Sequence, residues 1–313
     1  MTEAVAQQQE MIYQLAASPN FAVDQVCFSA RSSGLYRSAD GGQTWTPAYD
    51  SLNLAQELAT TAVTVSPDFA HDQTVFAGAP GGILRSADGG ETWFVVMLPT
   101  PPPTVSTLVV SPNFDHDSVV LAGTMEDGVF RSADGGRNWS RWNFGLLDLN
   151  VICMAISPDF AADETLYVGT ESGIFRSTNG GRAWREVEMP IGFEAVLSLA
   201  LSPQYGQDGT LLAGTEEHGL WQSTDFGETW AQLGQAVVDD LINEVLLSPD
   251  YPAQPDILIA MSASLLVSRD NGQTWSAWPG QLPPGLAAAV APLGLVEGSP
   301  VLVGSVEGDL VRL

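Results

Sequence analysis

An eight-residue phrase that opens on serine and closes on tryptophan occurs six times along this 313-residue chain. It reads SADGGQTW at 38–45, SADGGETW at 86–93, SADGGRNW at 132–139, STNGGRAW at 177–184, STDFGETW at 223–230 and SRDNGQTW at 268–275. Successive copies begin 48, 46, 45, 46 and 45 residues apart. A period in this range belongs to a repeat architecture, in which each unit buries its apolar face only against its neighbours.

One period reads as strands and turns. In the fourth copy, residues 151–157 alternate in polarity and end at Pro158, Asp159 and Phe160. Residues 165–170 form a second short apolar run, closed by Glu171, Ser172 and Gly173. Residues 174–177 form a third, Asn179, Gly180 and Gly181 turn the chain, and Trp184 opens a fourth. Short runs broken by Gly, Pro, Asn and Asp are strand-and-turn chemistry. No stretch holds a 3.6-residue apolar period, so the chain reads as all-β. The serine–tryptophan phrase is a hairpin turn between the third and fourth strands, where Asp, Asn and Gly accept left-handed backbone. Its Trp is expected to anchor each unit in apolar surroundings. A second phrase, SPNF, SPDF, SPNF, SPDF, SPQY and SPDY, begins at Ser18, Ser66, Ser111, Ser157, Ser202 and Ser248. It joins strands one and two, and its Phe or Tyr is expected to wedge between neighbouring units.

These residues carry a family resemblance. The pattern S-x-D-x-G-x-T-W is that of the Asp-box, or BNR repeat. Its combination with the SPDF phrase resembles the sortilin-type and xyloglucanase-type propellers and the photosystem II assembly factor group. The resemblance covers nearly the whole chain and implies a β-propeller. It implies little about activity, because Asp-boxes sit on the periphery of enzymes, receptors and scaffolds alike.

Six phrases do not mean six blades. Beyond Trp275, residues 285–292, 300–304 and 308–313 read as three strands of a seventh unit that stops before its own turn. Residues 2–8 precede the first strand of the first unit, which begins near Met11. We therefore expect one seven-bladed propeller domain over residues 1–313, built of four-stranded antiparallel blades. An N-terminal strand in the last blade is expected to close the ring, which also removes open sheet edges. Six blades with a frayed tail is the alternative.

Thirty-seven acidic residues face eleven basic ones, all arginine, for a net charge of −26. Such a surface repels nucleic acid and anionic membrane, both of which bind through cationic contacts, and attracts cations or a basic partner. Solubility, or adaptation to a salty or hot habitat, would account for it equally. No basic-then-apolar leader opens the chain and no apolar run approaches a membrane span, so a cytoplasmic location is expected. Cys27 and Cys153 fall in different units and read as reduced core thiols.

In a propeller, the loops between strands two and three share one face, here called the top, with the loops between blades. The first set carries Glu126, Asp127, Glu171, Glu216, Glu217, His218 and Glu307. The second adds Asp50, Glu57, Asp148, Glu188, Glu194, Asp239, Asp240 and Glu244, with the aromatics Trp142, Phe144, Phe193 and Trp278. We therefore expect an acidic channel mouth that engages a protein partner, or a small ligand or cation. The candidate binding residues are Glu126, Asp127, Trp142, Glu171, Glu216, Glu217, His218, Trp278 and Glu307. The alternative is a carbohydrate-active enzyme with a carboxylate pair at that mouth.

Several features weigh against catalysis. The sialidase branch implied by the resemblance needs three arginines on a substrate carboxylate, whereas Arg37, Arg85, Arg131 and Arg176 hold one repeated place and read as interstrand braces. The xyloglucanase type places its cleft between two propellers, and one is read here. The arginine-rich patch of the photosystem group has no counterpart among eleven scattered arginines. On the opposite face, Asp68 with Asp72 and Asp159 with Asp163 offer paired loop oxygens, but their spacing lacks the dense alternation of a calcium loop and they read as turn caps. His71 and His116 recur at one place in adjacent blades and read as exposed loop residues rather than a zinc pair. No metal, cofactor or catalytic residue is assigned.

Overall fold

The computed structural model describes residues 10–99, 101–238 and 240–313. They form seven antiparallel sheets, six of four strands and a last one of three, each in simple sequence order from the inside out. The fourth blade shows the plan: Val151–Ile156, Leu166–Thr170, Ile174–Ser177 and Arg185–Val187. The seventh blade holds Leu286–Val290, Leu302–Ser305 and Leu310–Arg312. The closing strand expected within residues 2–8 lies outside the described residues. Glu10 enters beside Gly308 of the last blade, where an added Cβ would meet its carbonyl at 2.7 Å. The first inner strand, Ile12–Ala17, then begins.

The SP phrase is more than a turn. It folds into a single helical turn in the first five blades, as in Phe21–Asp24 and Phe160–Asp163. The serine hydroxyl donates to the aspartate six residues on, as Ser66 does to Asp72, whose other oxygen takes the Thr74 amide hydrogen. Asp163 does the same with Ser157 and Thr165. Of the paired acids of this face, Asp72 and Asp163 are thus turn caps, whereas Asp68 and Asp159 make no capping bond with their side chains. The aromatic of the phrase wedges between blades as expected. Phe69 meets Phe28 of the preceding blade edge-on at 6.3 Å, Phe114 meets Phe76 at 5.8 Å, and Tyr205 meets Tyr167 at 6.0 Å. Edge-to-face aromatic pairs add to the area they bury.

In the Asp-box, the Ser38 hydroxyl donates to Asp40 and accepts the Gly42 amide hydrogen. Asp40 also takes the amide hydrogens of Gln43 and Thr44 and the Thr44 hydroxyl. The tryptophans differ from expectation. Trp184 is 3 % exposed, but those at 45, 93, 139, 230 and 275 are only half-buried. The Trp184 indole donates to the Trp142 carbonyl of the preceding interblade segment at 2.7 Å, as that of Trp93 does to Ala48 at 2.8 Å.

Blades meet at the axis through a glycine in the second strand. An added Cβ at Gly123, Gly169, Gly214 or Gly304 would lie 2.5–2.8 Å from Val151, from Cys153 and the Val196 carbonyl, from Ile242 or from Ile12 respectively. The missing side chain admits the inner strand of the next blade. The last of these contacts closes the ring, where Ile12, Leu15, Phe21 and Cys27 pack with Ala288 and Leu302.

The inner strands carry an extra residue in several blades, shifting register between Val151 and Cys153, Val196 and Ser198, and Ile242 and Glu244. Such bulges re-aim side chains, and here they lace adjacent blades. Gln14 accepts the Val63 amide hydrogen, Thr61 donates to the Val105 carbonyl and Ser106 to that of Val151. Cys153 donates to the Val196 carbonyl, Ser198 accepts the Val245 amide hydrogen and Asn243 donates to the Leu286 carbonyl.

Candidate functional site

The top-face loops are held by a recurring clamp. The acid just before an inner strand reaches into the turn between strands two and three of its own blade. Asp148 takes the amide hydrogens of Asn150 and Ser172, one on each oxygen. Asp240 takes the Leu241 amide hydrogen on one oxygen and the Ser262 hydroxyl on the other. Glu10 takes the Ser33 hydroxyl and stands 3.6 Å from Arg31. In the fifth blade Glu194 takes the Glu217 amide hydrogen at 2.7 Å. Several acids of the expected mouth thus have structural partners.

The structure sorts the candidate residues into separate groups. Asn150 accepts the Glu126 amide hydrogen and donates to the Glu171 carboxylate at 2.9 Å, joining the loops of blades three and four. Asp127 is neutralised by Arg141, whose Nε donates to it at 3.0 Å. Glu217 and His218 gather with Glu194, and Glu216 lies exposed beside them. Glu307 is exposed in the turn of the last blade, its amide donating to Ser305.

Two expected aromatics are set into the fold. Trp278 is 4 % exposed and packs with Leu258, Leu265 and Val267. Trp142 is half-buried between the guanidinium groups of Arg131, 4.4 Å from its centroid, and Arg182, at 5.5 Å. Both follow an outer strand and continue its pairing, their amides donating to Leu265 and Val129. That pairing sets them in the blade flank rather than at the mouth. Phe144 and Phe193 are 80 % and 83 % exposed. They border two hollows of about 640 and 210 Å³ along the outer strand of blade four, with Glu186, Val187 and Glu188 common to both.

The repeated arginines brace blades. Arg176 donates to the Phe226 carbonyl in the next blade's Asp-box at 3.1 Å and lies over Tyr167. The Nε atoms of Arg37, Arg85, Arg131 and Arg176 are buried without a hydrogen-bond partner among the described residues. On the lower face, His71 pairs with Asp68 at 2.6 Å and His116 with Asp115 at 2.7 Å, each within its own turn.

The axial channel narrows to a space of about 140 Å³ lined by Gln14, Thr61, Ser106, Cys153, Ser198, Asn243 and Glu244. Glu244 shows part of its surface, but to this narrow space rather than bulk water. Desolvation there pushes its carboxyl up to about 8, against a smaller opposing effect from the Ser198 hydroxyl. Cys153 and Cys27 are free thiols. Burial raises both, Cys27 to about 12.

Repeat, ring and clamp together define an Asp-box β-propeller. The family model described as photosynthesis system II assembly factor YCF48 matches residues 21–141, and that of the BNR/Asp-box repeat matches residues 266–277. No curated protein is similar in sequence. Among solved structures, the chain is similar to YCF48 bound to D1 peptide, with a TM-score of 0.70 and 18 % identity over 98 % of this chain and 94 % of that one. It is similar to YCF48 from Cyanidioschyzon merolae, with a TM-score of 0.67 and 14 % identity over 98 % and 96 %. It is also similar to the GH74 xyloglucanase from Xanthomonas campestris, with a TM-score of 0.72 and 19 % identity, but spans only 51 % of that enzyme. At these identities the likeness is one of fold. Among the described residues, no helix is long and apolar enough to cross a membrane.

Proposed function

We propose that this protein is a non-catalytic binding propeller, a single domain that holds a basic segment of a protein partner on its top face. The observation that carries this reading is the state of the loops of blades three to five. Asn150, Asp148 and Glu194 fix their backbones, yet the carboxylates of Glu126, Glu171, Glu216 and Glu217 stay exposed. A pre-set anionic surface binds with little ordering cost and steers a cationic partner. A YCF48 carries a D1 peptide on the same kind of ring, which supports a protein segment as the ligand class. Two free thiols fit a reducing compartment, and we place the protein in the cytoplasm on that ground.

The test is photo-crosslinking in native extract from a probe at position 126 or 216, with the captured partner then measured by surface plasmon resonance. Replacing Glu126, Glu171, Glu216 and Glu217 by Gln should slow association more than it speeds release, and added salt should do the same. Capture from probes on the SP-turn face alone, or an on-rate indifferent to salt and to these substitutions, rejects the reading.

A further inference from the structure

The clamp in blade five differs from its counterparts in blades four and six. Asp148 and Asp240 each fill both carboxylate oxygens with an N–H or O–H donor. Glu194 fills only Oε1, with the Glu217 amide hydrogen; among the described residues, Oε2 accepts no hydrogen bond. Oε2 instead lies 3.1 Å from Nδ1 of His218. Glu194 is 8 % exposed, with its carboxylate set between the Glu217 amide and the His218 imidazole. The chain has no lysine, and among the described residues no arginine stands within ion-pair distance of Glu194. Among the described residues only the His218 imidazole pairs with this oxygen, and a buried carboxylate with few donors is costly.

Two ligand types converge on that oxygen. Glu217 and His218 lie in the turn after Leu211–Thr215, and one ligand atom from each of Glu194, Glu217 and His218 falls within 4.8 Å of the others. In the other clamped turns the equivalent donors are Ser33, Ser172 and Ser262. Only this turn places an imidazole and a second carboxylate around the clamping acid. Tetrahedral bonds of about 2.0–2.2 Å to a central ion set neighbouring ligand atoms roughly 3.3–3.6 Å apart, so the 3.1 Å pair of Glu194 and His218 need open only slightly to admit one.

The turn is also rigid. The Thr215 amide donates to the Gly219 carbonyl, and the Glu216 amide to Ala195. The His218 amide donates to the Thr215 hydroxyl, and the His218 carbonyl takes hydrogens from Trp221 Nε1 and Gln232 Nε2. Ligands held by such an outer shell lose little freedom on binding.

We infer that Glu194, Glu217 and His218 form a binding site for a divalent transition-metal ion of the Zn²⁺ class. Glu194 supplies Oε2 from below, and the exposed side chains of Glu217 and His218 close over the ion from solvent. One imidazole and two carboxylates suit Zn²⁺ or Co²⁺ better than Ca²⁺, which takes six to eight oxygen ligands. Three protein ligands leave a coordination position open to water or to a donor atom of a partner. The negative field of a −26 chain adds to the local cation concentration. The inference shares Glu217 with the partner reading, but it is tested on the isolated protein with the ion alone, so either can fail without the other.

The test is calorimetric titration of the full chain with ZnCl₂, with Co²⁺ absorption as a second readout. One Zn²⁺ per chain is expected to bind, Co²⁺ to give visible bands of low coordination number, and excess Ca²⁺ to leave binding unchanged. His218→Ala and Glu217→Gln alter exposed side chains and leave the fold intact; each should weaken binding at least ~10-fold. Glu194→Gln should do the same, and the double variant His71→Ala/His116→Ala should bind as the parent does. Absence of saturable Zn²⁺ binding overturns the inference. So does binding that survives His218→Ala, or binding lost in the His71→Ala/His116→Ala control.

Discussion

The hydroxyls of Tyr167 and Tyr205 lie 2.6 Å apart across the boundary between blades four and five. Tyr167 belongs to a second strand and Tyr205 to the SP phrase of the next blade, and both are fully buried. Tyr167 also contacts the Phe226 carbonyl at 2.8 Å, so this boundary combines apolar wedging with a short polar chain. Tyr167→Phe strips a partner from Tyr205 and from Phe226, and should cost about 1–3 kcal/mol. Tyr205→Phe leaves Tyr167 its carbonyl and should cost less. Urea unfolding of the two variants measures the order, and equal losses would count against this assignment of donors.

Trp184→Ala should cost about 3–5 kcal/mol, the range for truncating a buried aromatic. Trp45→Ala should cost clearly less, since Trp45 is half-buried and its indole is tied only to Gly42 of its own turn at 3.1 Å. Denaturation midpoints compare them directly. A native Trp184 open to acrylamide quenching would contradict its burial.

Acid should loosen the Asp-boxes first. The Thr44 hydroxyl, the Thr44 amide and the Ser38 hydroxyl hold the Asp40 carboxyl down at about 2, from an ordinary 3.8. Asp225 and Asp270 are lowered by the same kinds of bond, led by Thr229 and Thr274. A carboxyl lowered by folding stabilises the protein above its unfolded value, and that stability is lost as pH falls through the folded one. The loss is therefore expected between about pH 4 and pH 2. A variant with Asn at positions 40, 225 and 270 should be less stable at pH 7 and show a flatter stability profile across that window by circular dichroism. An unchanged slope would assign the acid transition to other groups.

Glu244 predicts the opposite sign at the other end of the scale. Its carboxyl is raised by folding from an ordinary 4.5 to about 8. Its contribution is fully present below the unfolded value and is lost as pH rises through the folded one. Glu244→Gln should match the parent near pH 5 and exceed it near pH 9. The expected gain is about 1–3 kcal/mol, once water admitted to the channel is allowed for. Thermal melts at the two pH values decide it, and a variant that gains nothing at pH 9 would show that the channel solvates the ionised acid.

The parts of this molecule that could be read in the chain are those that repeat. Gly41 and Gly42 with Trp45, or Gly180 and Gly181 with Trp184, announce one turn in six places, and the turn sets the strand order. What escaped reading depends on neighbours far along the chain. Trp142 and Trp278 follow their outer strands much as Phe144 follows Trp142, yet only Phe144 is exposed. The difference lies in how many residues continue the outer-strand pairing before the chain leaves the blade. Glu194 was legible only as one more interblade acid, because nothing local shows that it turns inward to meet Glu217 and His218. The lacing by Thr61, Ser106, Cys153, Ser198 and Asn243 was hidden for another reason. A bulge of one residue changes which side chains face the axis, and no residue type announces it.

The join between the last blade and the first is unlike the other six. Six boundaries at the axis are fastened by a side chain that grips the next backbone. Among the described residues, the seventh relies there on Ile12 lying in the gap left by Gly304. Farther out, Arg312 donates to the Gly41 carbonyl. Among the described residues, the ring therefore has one join held at the axis by apolar packing alone. Pulled between blades one and seven, the ring should part at that join and then peel blade by blade, rather than burst at a laced boundary. Native-state hydrogen exchange should likewise find its lowest opening free energies in the inner strands of blades one and seven and its highest in blades three to five.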